Sequence, residues 1–495
     1  IDPRFAAACV ALSNLLARAG HSAEAEACLR RGLAAHQEAT DLLFALGELL
    51  RRQGRQPEAI ACFERLIGLR PAAADALNNL GALYQLEGRV DAALLCLERA
   101  AELEPGSAHA QFNLARLLDD LGRFDEARAA YEAALAKPSP LELEIHCHLA
   151  VLRRRLCDWV GEAEAHAELA ARIERYLAAP AERGLAPLTL NVIELPGALR
   201  LRVAKQLASG LERETAEARA RCAFPAWRAR SAPARLRIGY VSPDFRTHAV
   251  GTLIHDLFRH HDRSLFEIFA YSLVSQGDSF QRSVKRGVDH FADVSHEAPE
   301  ATAQRIHADS IDLLVDVAGY TTYSRSAIFA LRPAPVQVHW LGYLDTQGSD
   351  AIPYALVDEL AVPDAVAQHW SETLVSLPDC FAVCSPLPID AQAPARAELG
   401  LPEAGTVFCS MNALHKLDAR SFDRWLRILA RVPESVLWLY DDTSERGRAN
   451  LARVAEARGV APQRLVFAKR APLRRYLARY RCADLFLDSF AYNAG

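Results

Sequence analysis

Apolar residues in the first 140 positions follow two helical stripes, and the whole pattern repeats every 34 residues. Glycine occupies one phase of the repeat and alanine another, as a helical hairpin requires at its turn and where its two helices approach closely. The glycines are Gly20, Gly54, Gly88 and Gly122, and the alanines are Ala25, Ala59, Ala93 and Ala127. The pattern predicts stacked pairs of amphipathic helices.

A single pair of this kind cannot bury both of its apolar stripes, so neighbouring pairs stack and leave a concave groove along the array. The spacing resembles the tetratricopeptide repeat, which implies that a protein or peptide segment binds along the groove. We place these repeats at 1–140 and further, irregular helical pairs with a linker at 141–232. The run at 228–235 is the predicted connection to the next domain.

After Arg235 the period changes, and short β-branched or aromatic runs alternate with amphipathic stretches. This alternation predicts doubly wound parallel sheets, one in a Rossmann-like domain at 233–395 and one in a second such domain at 396–495. The strands predicted for the first are Leu236–Ser242, Phe266–Leu273, Ile311–Val317 and Val336–Leu341. Those predicted for the second are Val407–Met411, Val436–Tyr440, Leu465–Phe467 and Leu485–Asp488.

Composition narrows the possible partners and location. The 57 Lys and Arg residues against 62 Asp and Glu residues leave a net charge of −5, with both signs spread along the chain, so we expect neither a nucleic-acid nor a membrane partner. No window approaches 18 uninterrupted apolar residues, and the 11 cysteines form no CxxC pair. We expect a soluble, cytoplasmic protein with reduced thiols.

The two ends of the sequence lead to a further expectation. The chain starts at Ile1, its one methionine is Met411, and it stops at Gly495 just after a strand-like run. We therefore expect the natural protein to continue and the second Rossmann-like domain to be incomplete in this chain. We expect a fragment of this length to be inactive or unstable.

Ligands of open parallel sheets bind beyond the carboxyl ends of the strands. We therefore selected residues that follow a predicted strand. The positions after the strands of the second domain are rich in basic residues. The selected residues are His248, Gly342, Asn412, Lys416, Arg470 and Ala471.

Three runs of sequence resemble the protein O-linked N-acetylglucosamine transferases, in the order in which that family has them. They are GYVSPDF at 239–245 with His248, FALRPAPVQ at 329–337 leading to WLGY at 340–343, and VPESVLWL at 432–439. With the repeats, the resemblance covers nearly the whole chain. It implies two Rossmann-like domains of the GT-B type and transfer of N-acetylglucosamine from its uridine diphosphate donor (UDP-GlcNAc) to Ser or Thr hydroxyls of proteins.

The resemblance also implies roles for the donor side. Lys416 corresponds to the family's catalytic lysine, which meets the diphosphate where negative charge grows during cleavage. Arg470 adds to this charge, and the backbone N–H groups of Ala471 and the turn after Pro472 face the same anion. Asn412 lies near the phosphates.

The remaining roles concern the base, the sugar and the acceptor. Tyr476 stands where the family has a histidine near the uracil, and it can stack on the base or hydrogen-bond to it. Gly342 lets the backbone approach the sugar. His248 faces the acceptor side, where it orients the acceptor hydroxyl or accepts its proton. His307 matches a histidine once proposed as a base, but its predicted helix favours a packing role.

We expect a metal-independent reaction without a cofactor. No Asp-x-Asp motif follows a strand of the second domain, and Asp441 and Asp442 are adjacent instead of spaced, so Lys416 and Arg470 would supply the positive charge that a metal supplies elsewhere. Inversion at the anomeric carbon is implied by the resemblance.

Two other functions stay open. One is a cytosolic transferase that moves glucose from its uridine diphosphate donor to asparagine; Ala413 and His415 stand where the family has glutamine and tyrosine, and donor screening would separate the two enzymes. The other is a repeat-based protein-binding adaptor whose transferase half is inactive, which measurable donor hydrolysis would exclude.

Overall fold

The computed structural model describes residues 6–178, 185, 187–224 and 235–490. The chain forms two compact units, residues 1–149 and residues 150–495. The linker predicted at 228–235 lies outside the described residues except for Arg235, as do the chain ends at 1–5 and 491–495.

Consecutive helices of the first unit pack in pairs, as the 34-residue period predicts. The helices are α1 (Ala6–Arg18), α2 (Ser22–Ala35), α3 (Thr40–Arg52), α4 (Gln56–Leu69), α5 (Ala74–Leu86), α6 (Val90–Leu103), α7 (Ala108–Asp120) and α8 (Phe124–Ala134). The alanines of the repeat are completely buried between the helices of each pair. The prediction of a helical repeat array is confirmed.

The repeat uses glycine for two different physical reasons. Gly54 and Gly88 lie in the turns within pairs with a φ of 75°, and a Cβ there would meet no atom within 4 Å, so backbone conformation requires the glycine. Gly47 and Gly81 lie inside helices, where space is the constraint. A Cβ on Gly81 would lie 2.6 Å from Cγ of the buried Leu97.

The second unit begins within a helix, α9 (Glu142–Arg155), which is followed by α10 (Glu162–Ala178) and α11 (Gly197–Cys222). We predicted helices near the first two of these, but not the 26-residue α11, because alanines and a threonine form much of its buried stripe. Its backbone packs so closely on the loop at Gly348 that a Cβ there would lie 2.4 Å from the amide nitrogen of Lys205.

The first sheet of this unit has seven parallel strands in the order β3-β2-β1-β4-β5-β6-β7. The strands are β1 (Leu236–Ser242), β2 (Phe266–Ser272), β3 (His290–Asp293), β4 (Leu313–Asp316), β5 (Val336–Trp340), β6 (Tyr354–Val357) and β7 (Thr373–Ser376). The helices in this region are α12 (Ala249–Ile254), α13 (Ser279–Gly287), α14 (Pro299–Ala308), α15 (Ala327–Ala330) and α16 (Asp364–Ala367). All four predicted strands are present. The strands we did not predict, β3, β6 and β7, are four residues long and lie at or next to the edges of the sheet.

The second sheet is also parallel, with the order β10-β9-β8-β11. Its strands are β8 (Val407–Ser410), β9 (Val436–Tyr440), β10 (Leu465–Ala468) and β11 (Leu485–Phe486), and its helices are α17 (Ala419–Arg431), α18 (Glu445–Ala457) and α19 (Leu473–Ala478). In both sheets the direction of strand addition reverses beside the first strand, between β1 and β4 and between β8 and β11. The crevice at such a switch point is where an α/β sheet binds its ligand.

The two sheets confirm the predicted class, a helical repeat array followed by two parallel α/β sheets. The domain boundaries at 140, 232 and 395 stay a prediction. Among the helices described, none combines the length and the apolar character needed to cross a membrane.

Replacing Gly81 by alanine is expected to destabilise the repeat array by about 1–3 kcal/mol, because the new methyl group overlaps the buried Leu97 side chain. The matched control is Gly68→Ala near the end of α4, where a Cβ meets nothing within 4 Å. This control should stabilise the array by up to about 1 kcal/mol, because alanine is the better helix former. Urea unfolding followed by circular dichroism measures both effects. Destabilisation of equal size in the two variants would contradict the steric explanation.

Candidate functional site

The loop after β8 meets the residues that follow β11 at the switch point of the second sheet. Nδ2 of Asn412 donates to Oδ1 of Asp488 over 3.0 Å and lies 3.3 Å from Oγ of Ser489. Lys416 is half-buried in the same loop. Burial lowers the pKa of its ammonium group, and the negative charge of Asp488 acts in the opposite direction.

Sequence reasoning selected Asn412 and Lys416 but assigned no role to Asp488 or Ser489. The strand before these two residues is two residues long, so it gives little periodic signal. Strand order decides that they belong to the site, because β11 pairs directly with β8. A signal was available in the chain, since Asp488 ends the last predicted strand and Ser489 follows it.

Hydrogen bonds from other elements hold the short 3₁₀ turn at 414–416 that carries Lys416. The Asp442 carboxylate accepts from the backbone N–H of Leu414 at 3.0 and 3.3 Å. The Arg154 guanidinium donates from Nε to the carbonyl oxygen of His415 at 3.0 Å and from Nη2 to that of Leu417 at 3.2 Å. The backbone on both sides of Lys416 is therefore anchored.

The imidazole of His415 is half-buried beside Lys416. Burial, together with the positive charges of Arg155, Lys416 and Arg154, lowers the pKa of His415 to about 3. The imidazole is therefore neutral near pH 7 and adds no charge next to the lysine.

The adjacent carboxylates Asp441 and Asp442 are both engaged by the protein. Asp441 forms an ion pair with Arg448, with a shortest distance of 2.7 Å between Nη2 and Oδ1. Asp442 holds the turn before Lys416, and burial raises its pKa. Across the described ranges, no group of three His, Cys, Asp or Glu side chains is arranged to hold a metal ion.

Three selected residues follow β10, two strands away from Lys416 in the same sheet. Arg470 is exposed and Ala471 is half-buried. The helix that follows, α19, begins at Leu473 and ends at Ala478. Tyr476 on this helix packs edge-on against Tyr440 at the end of β9, and its hydroxyl lies 3.1 Å from that of Tyr480.

Arg479, which sequence reasoning missed, connects the loops after β8 and β10. Its buried guanidinium donates from Nη1 to the carbonyl oxygen of Lys469 at 2.7 Å and lies 3.6 Å from Sδ of Met411. The same group lies 4.2 Å from the ring centre of Tyr476. A buried arginine inside a short helical segment gave no periodic signal that could have identified this contact.

His248 follows β1 at the carboxyl ends of the strands of the first sheet, and its ring caps the N-terminus of α12. Its Nδ1 accepts from the backbone N–H of Val250 at 3.3 Å and lies 3.4 Å from Oδ1 of the buried Asp244. Burial lowers the pKa of His248 and raises that of Asp244. The two contacts of Nδ1 are alternatives, because an unprotonated Nδ1 accepts from Val250 whereas a protonated one donates to Asp244. The tautomer therefore decides whether Nε2 donates or accepts.

Gly342 has a packing requirement of its own after β5. A Cβ there would lie 1.9 Å from the carbonyl oxygen of Val317 in the neighbouring loop. A buried network supports the same loop: Nε2 of Gln347 donates to Asp316 over 2.8 Å and to Nδ1 of His339 over 2.8 Å. These contacts fix the loop after β5 against the end of β4.

His307 lies away from this edge. Its helix, α14, leads into the amino end of β4. His307 therefore lies near the amino ends of the strands, away from the loops that follow their carboxyl ends. Its ring stacks on Phe224 with 4.5 Å between ring centres. The structure thus brings Asn412 and Lys416 to one switch point, Arg470, Ala471 and Tyr476 to a second loop of that sheet, and His248 and Gly342 to the other sheet.

Comparisons with known proteins agree with this architecture. Residues 156–386 and 384–494 match glycosyl transferase family 41, and four overlapping segments between residues 10 and 179 match the tetratricopeptide repeat. The solved structure of a variant of the O-GlcNAc transferase of Thermobaculum terrenum is 27% identical, with a TM-score of 0.62. That alignment covers 92% of this chain and 79% of the bacterial one.

Curated relatives include two probable UDP-N-acetylglucosamine–peptide N-acetylglucosaminyltransferases of Arabidopsis thaliana. SEC is 36% identical over 262 residues and SPINDLY 32% over 268, each across 52% of this chain. A Caenorhabditis elegans enzyme with the corresponding name is 26% identical across 52% of this chain. The chain spans less than a third of the length of these relatives, 27%, 29% and 32% respectively. With family 41 matched over more than half of its residues, the chain belongs to glycosyl transferase family 41.

Proposed function

We propose that the protein transfers N-acetylglucosamine from UDP-GlcNAc to Ser or Thr hydroxyls of proteins, with inversion and without a metal ion. The observation that carries the proposal is the placement of Lys416 at the switch point of the second sheet, in a chain that belongs to family 41. The names of the relatives, all peptide N-acetylglucosaminyltransferases, support this donor and this class of acceptor.

The proposed reaction is a single displacement. The acceptor hydroxyl oxygen attacks the anomeric carbon, the bond from this carbon to the β-phosphate oxygen breaks, and its electron pair leaves with UDP. The hydroxyl proton passes to His248 or, where His248 only orients the hydroxyl, to the departing diphosphate. The positive charge of Lys416 stabilises the negative charge that develops on the departing phosphate. Arg470 and the backbone N–H of Ala471 face the same diphosphate, and Asn412 orients it.

The uracil and the acceptor occupy opposite ends of the proposed site. Tyr476, whose ring centre lies 4.2 Å from the Arg479 guanidinium, stacks on the uracil or hydrogen-bonds to it. On the acceptor side, His248 orients the hydroxyl through Nε2–H or, with its proton on Nδ1 toward Asp244, accepts the hydroxyl proton at Nε2. Gly342 lets the backbone come close to the sugar.

The absence of a metal requirement is supported by the engagement of the adjacent carboxylates. Asp441 is neutralised by Arg448, and Asp442 accepts from the Leu414 backbone, so neither carboxylate group is left to bridge a metal to a diphosphate without breaking a contact. EDTA should therefore leave turnover unchanged.

The acceptor is proposed to bind along the repeat array. The first helices of successive pairs line an open cavity of about 720 Å³ in the first unit, which includes Asn14, Phe44, Glu48 and Asp75. Its mixture of polar and apolar side chains suits an extended peptide. A cytoplasmic location stays a prediction from composition.

Lys416→Ala in the full-length protein should lower kcat with UDP-GlcNAc by about 10²–10³-fold, because a preorganised charge at the leaving group is removed. Lys285→Ala is the matched control. Lys285 lies on α13, which belongs to the domain of the first sheet, and contacts Phe291 away from the candidate site. UDP release measures both. Turnover that survives in Lys416→Ala would contradict the assignment, and no donor binding or hydrolysis by the wild type would favour the adaptor function.

The affinity for UDP should fall as the pH rises through the lowered pKa of Lys416, at a pH where an exposed lysine is still charged. Lys416→Arg keeps its charge in this range, so its affinity should change less. Calorimetric titrations of both proteins between neutral and alkaline pH test this, and the comparison cancels deprotonation of the uracil itself. Identical pH profiles would show that Lys416 does not titrate at the site.

His248→Asn should lower kcat by about 10²-fold or more while leaving the melting temperature nearly unchanged, because asparagine retains the cap of α12 but cannot accept a proton. His248→Ala should lose both the cap and the activity. Steady-state kinetics and thermal unfolding of the two variants separate these roles. Wild-type kcat in His248→Asn would limit His248 to capping.

A further inference from the structure

Arg154 is almost completely buried, with 2% of its surface exposed, although it carries a permanent charge. Its guanidinium donates to the carbonyl oxygens of His415 and Leu417, the residues on either side of Lys416. Its third nitrogen, Nη1, lies 3.6 Å from Oε1 of Glu162 on α10. Burial of a charge is unfavourable unless such partners compensate it, so the arrangement commits Arg154 to one position.

The segment that carries Arg154 is built into the core of the second sheet. Cys157 is buried among the core residues of this sheet, and Trp159 packs on Phe422 of α17 with 5.5 Å between ring centres. The carbonyl oxygen of Arg155 accepts from Oγ1 of Thr443 at 2.7 Å, and that of Leu156 accepts from Nδ2 of Asn450 at 2.9 Å. Arg154 is therefore held rigidly relative to the strands whose loop it contacts.

The turn at 414–416 depends on this contact because few of its backbone groups are bonded within the turn. Inside it, the N–H of Lys416 donates to the carbonyl of Ala413, and that of Leu417 donates to the carbonyl of Leu414. The carbonyl oxygens of His415 and Leu417 accept instead from the guanidinium of Arg154. Loss of these bonds would leave the two carbonyls without this donor. It would also leave the half-buried Glu162 without its neighbouring positive charge.

We propose that Arg154 is a positioning residue for Lys416. Its guanidinium hydrogen-bonds to the backbone on both sides of the lysine and so positions the ammonium group to contact the donor diphosphate. Glu162 in turn orients Arg154. This inference rests on the proposed role of Lys416 in the transferase reaction. It adds to the site a residue that precedes the segment matched to family 41, which starts at residue 156.

Arg464 provides a matched control within the same sheet. Its guanidinium also donates to backbone carbonyls, those of Ser435, Leu429 and Val432, each at 2.7 Å. These contacts lie where β9 and β10 begin, at the edge of the sheet opposite to Lys416. Loss of the Arg464 fork should therefore destabilise the fold without moving the lysine.

The experiment compares Arg154→Lys and Arg464→Lys in the full-length protein by thermal unfolding, UDP titration calorimetry and steady-state kinetics with UDP-GlcNAc. Lysine keeps the charge but cannot reproduce the planar fork. Both variants should melt at lower temperature. Arg154→Lys should also bind UDP about tenfold more weakly and lose about 100-fold in kcat, whereas Arg464→Lys should match the wild type in both. Arg154→Gln, whose amide can donate to one of the two carbonyls, should fall between the wild type and Arg154→Lys in UDP affinity and kcat. It replaces Arg154→Lys if that variant does not fold.

A double-mutant cycle with Lys416→Ala tests whether Arg154 acts through the lysine. In the Lys416→Ala background, Arg154→Lys should weaken UDP binding no further. Wild-type UDP affinity in the Arg154 variants, or an undiminished loss in the Lys416→Ala background, would overturn the proposal. If Lys416→Ala itself binds and turns over donor like the wild type, the proposed function fails first, and this inference fails with it.

Discussion

The hydrogen bonds that anchor the turn at 414–416 are the interaction on which the candidate site depends. A lysine on a flexible stem is a poor electrostatic catalyst unless its backbone is held, because preorganisation is what makes a charge effective in a transition state. Here Asp442 holds the N–H before the lysine, and Arg154 holds carbonyls on both sides of it. The side chains that supply these bonds are themselves buried or half-buried, so the turn is held by the core of the domain.

The charges around the lysine follow from the same packing. Burial lowers the pKa of Lys416, while Asp488 across the switch point favours its charged form. His415, half-buried among cationic groups, stays neutral and adds no repulsion to Lys416. The balance leaves a single ammonium group in the turn, partly desolvated, where an electrostatic interaction with a diphosphate is stronger than in water.

The repeat array follows a different logic, because each of its units contacts mainly its neighbours. Glycines with positive φ shape the turns, and glycines such as Gly81 let the large side chains of the repeat pack against a helix backbone. Stacking then leaves the first helices of the pairs lining an open cavity.

The sequence by itself determined the helical repeat, most strands of both sheets and the loops in which Asn412, Lys416 and His248 lie, because periodicity and position after a strand are local properties of the chain. The placement of Asp488 against Asn412, the bridge made by Arg479 and the fork of Arg154 were decided by tertiary structure. Arg154 and His415 are 261 residues apart, and no local pattern records which carbonyl a distant arginine will serve. The same holds for edge strands such as β3 and β7, whose short runs gain their hydrogen bonds from neighbours, not from their own sequence.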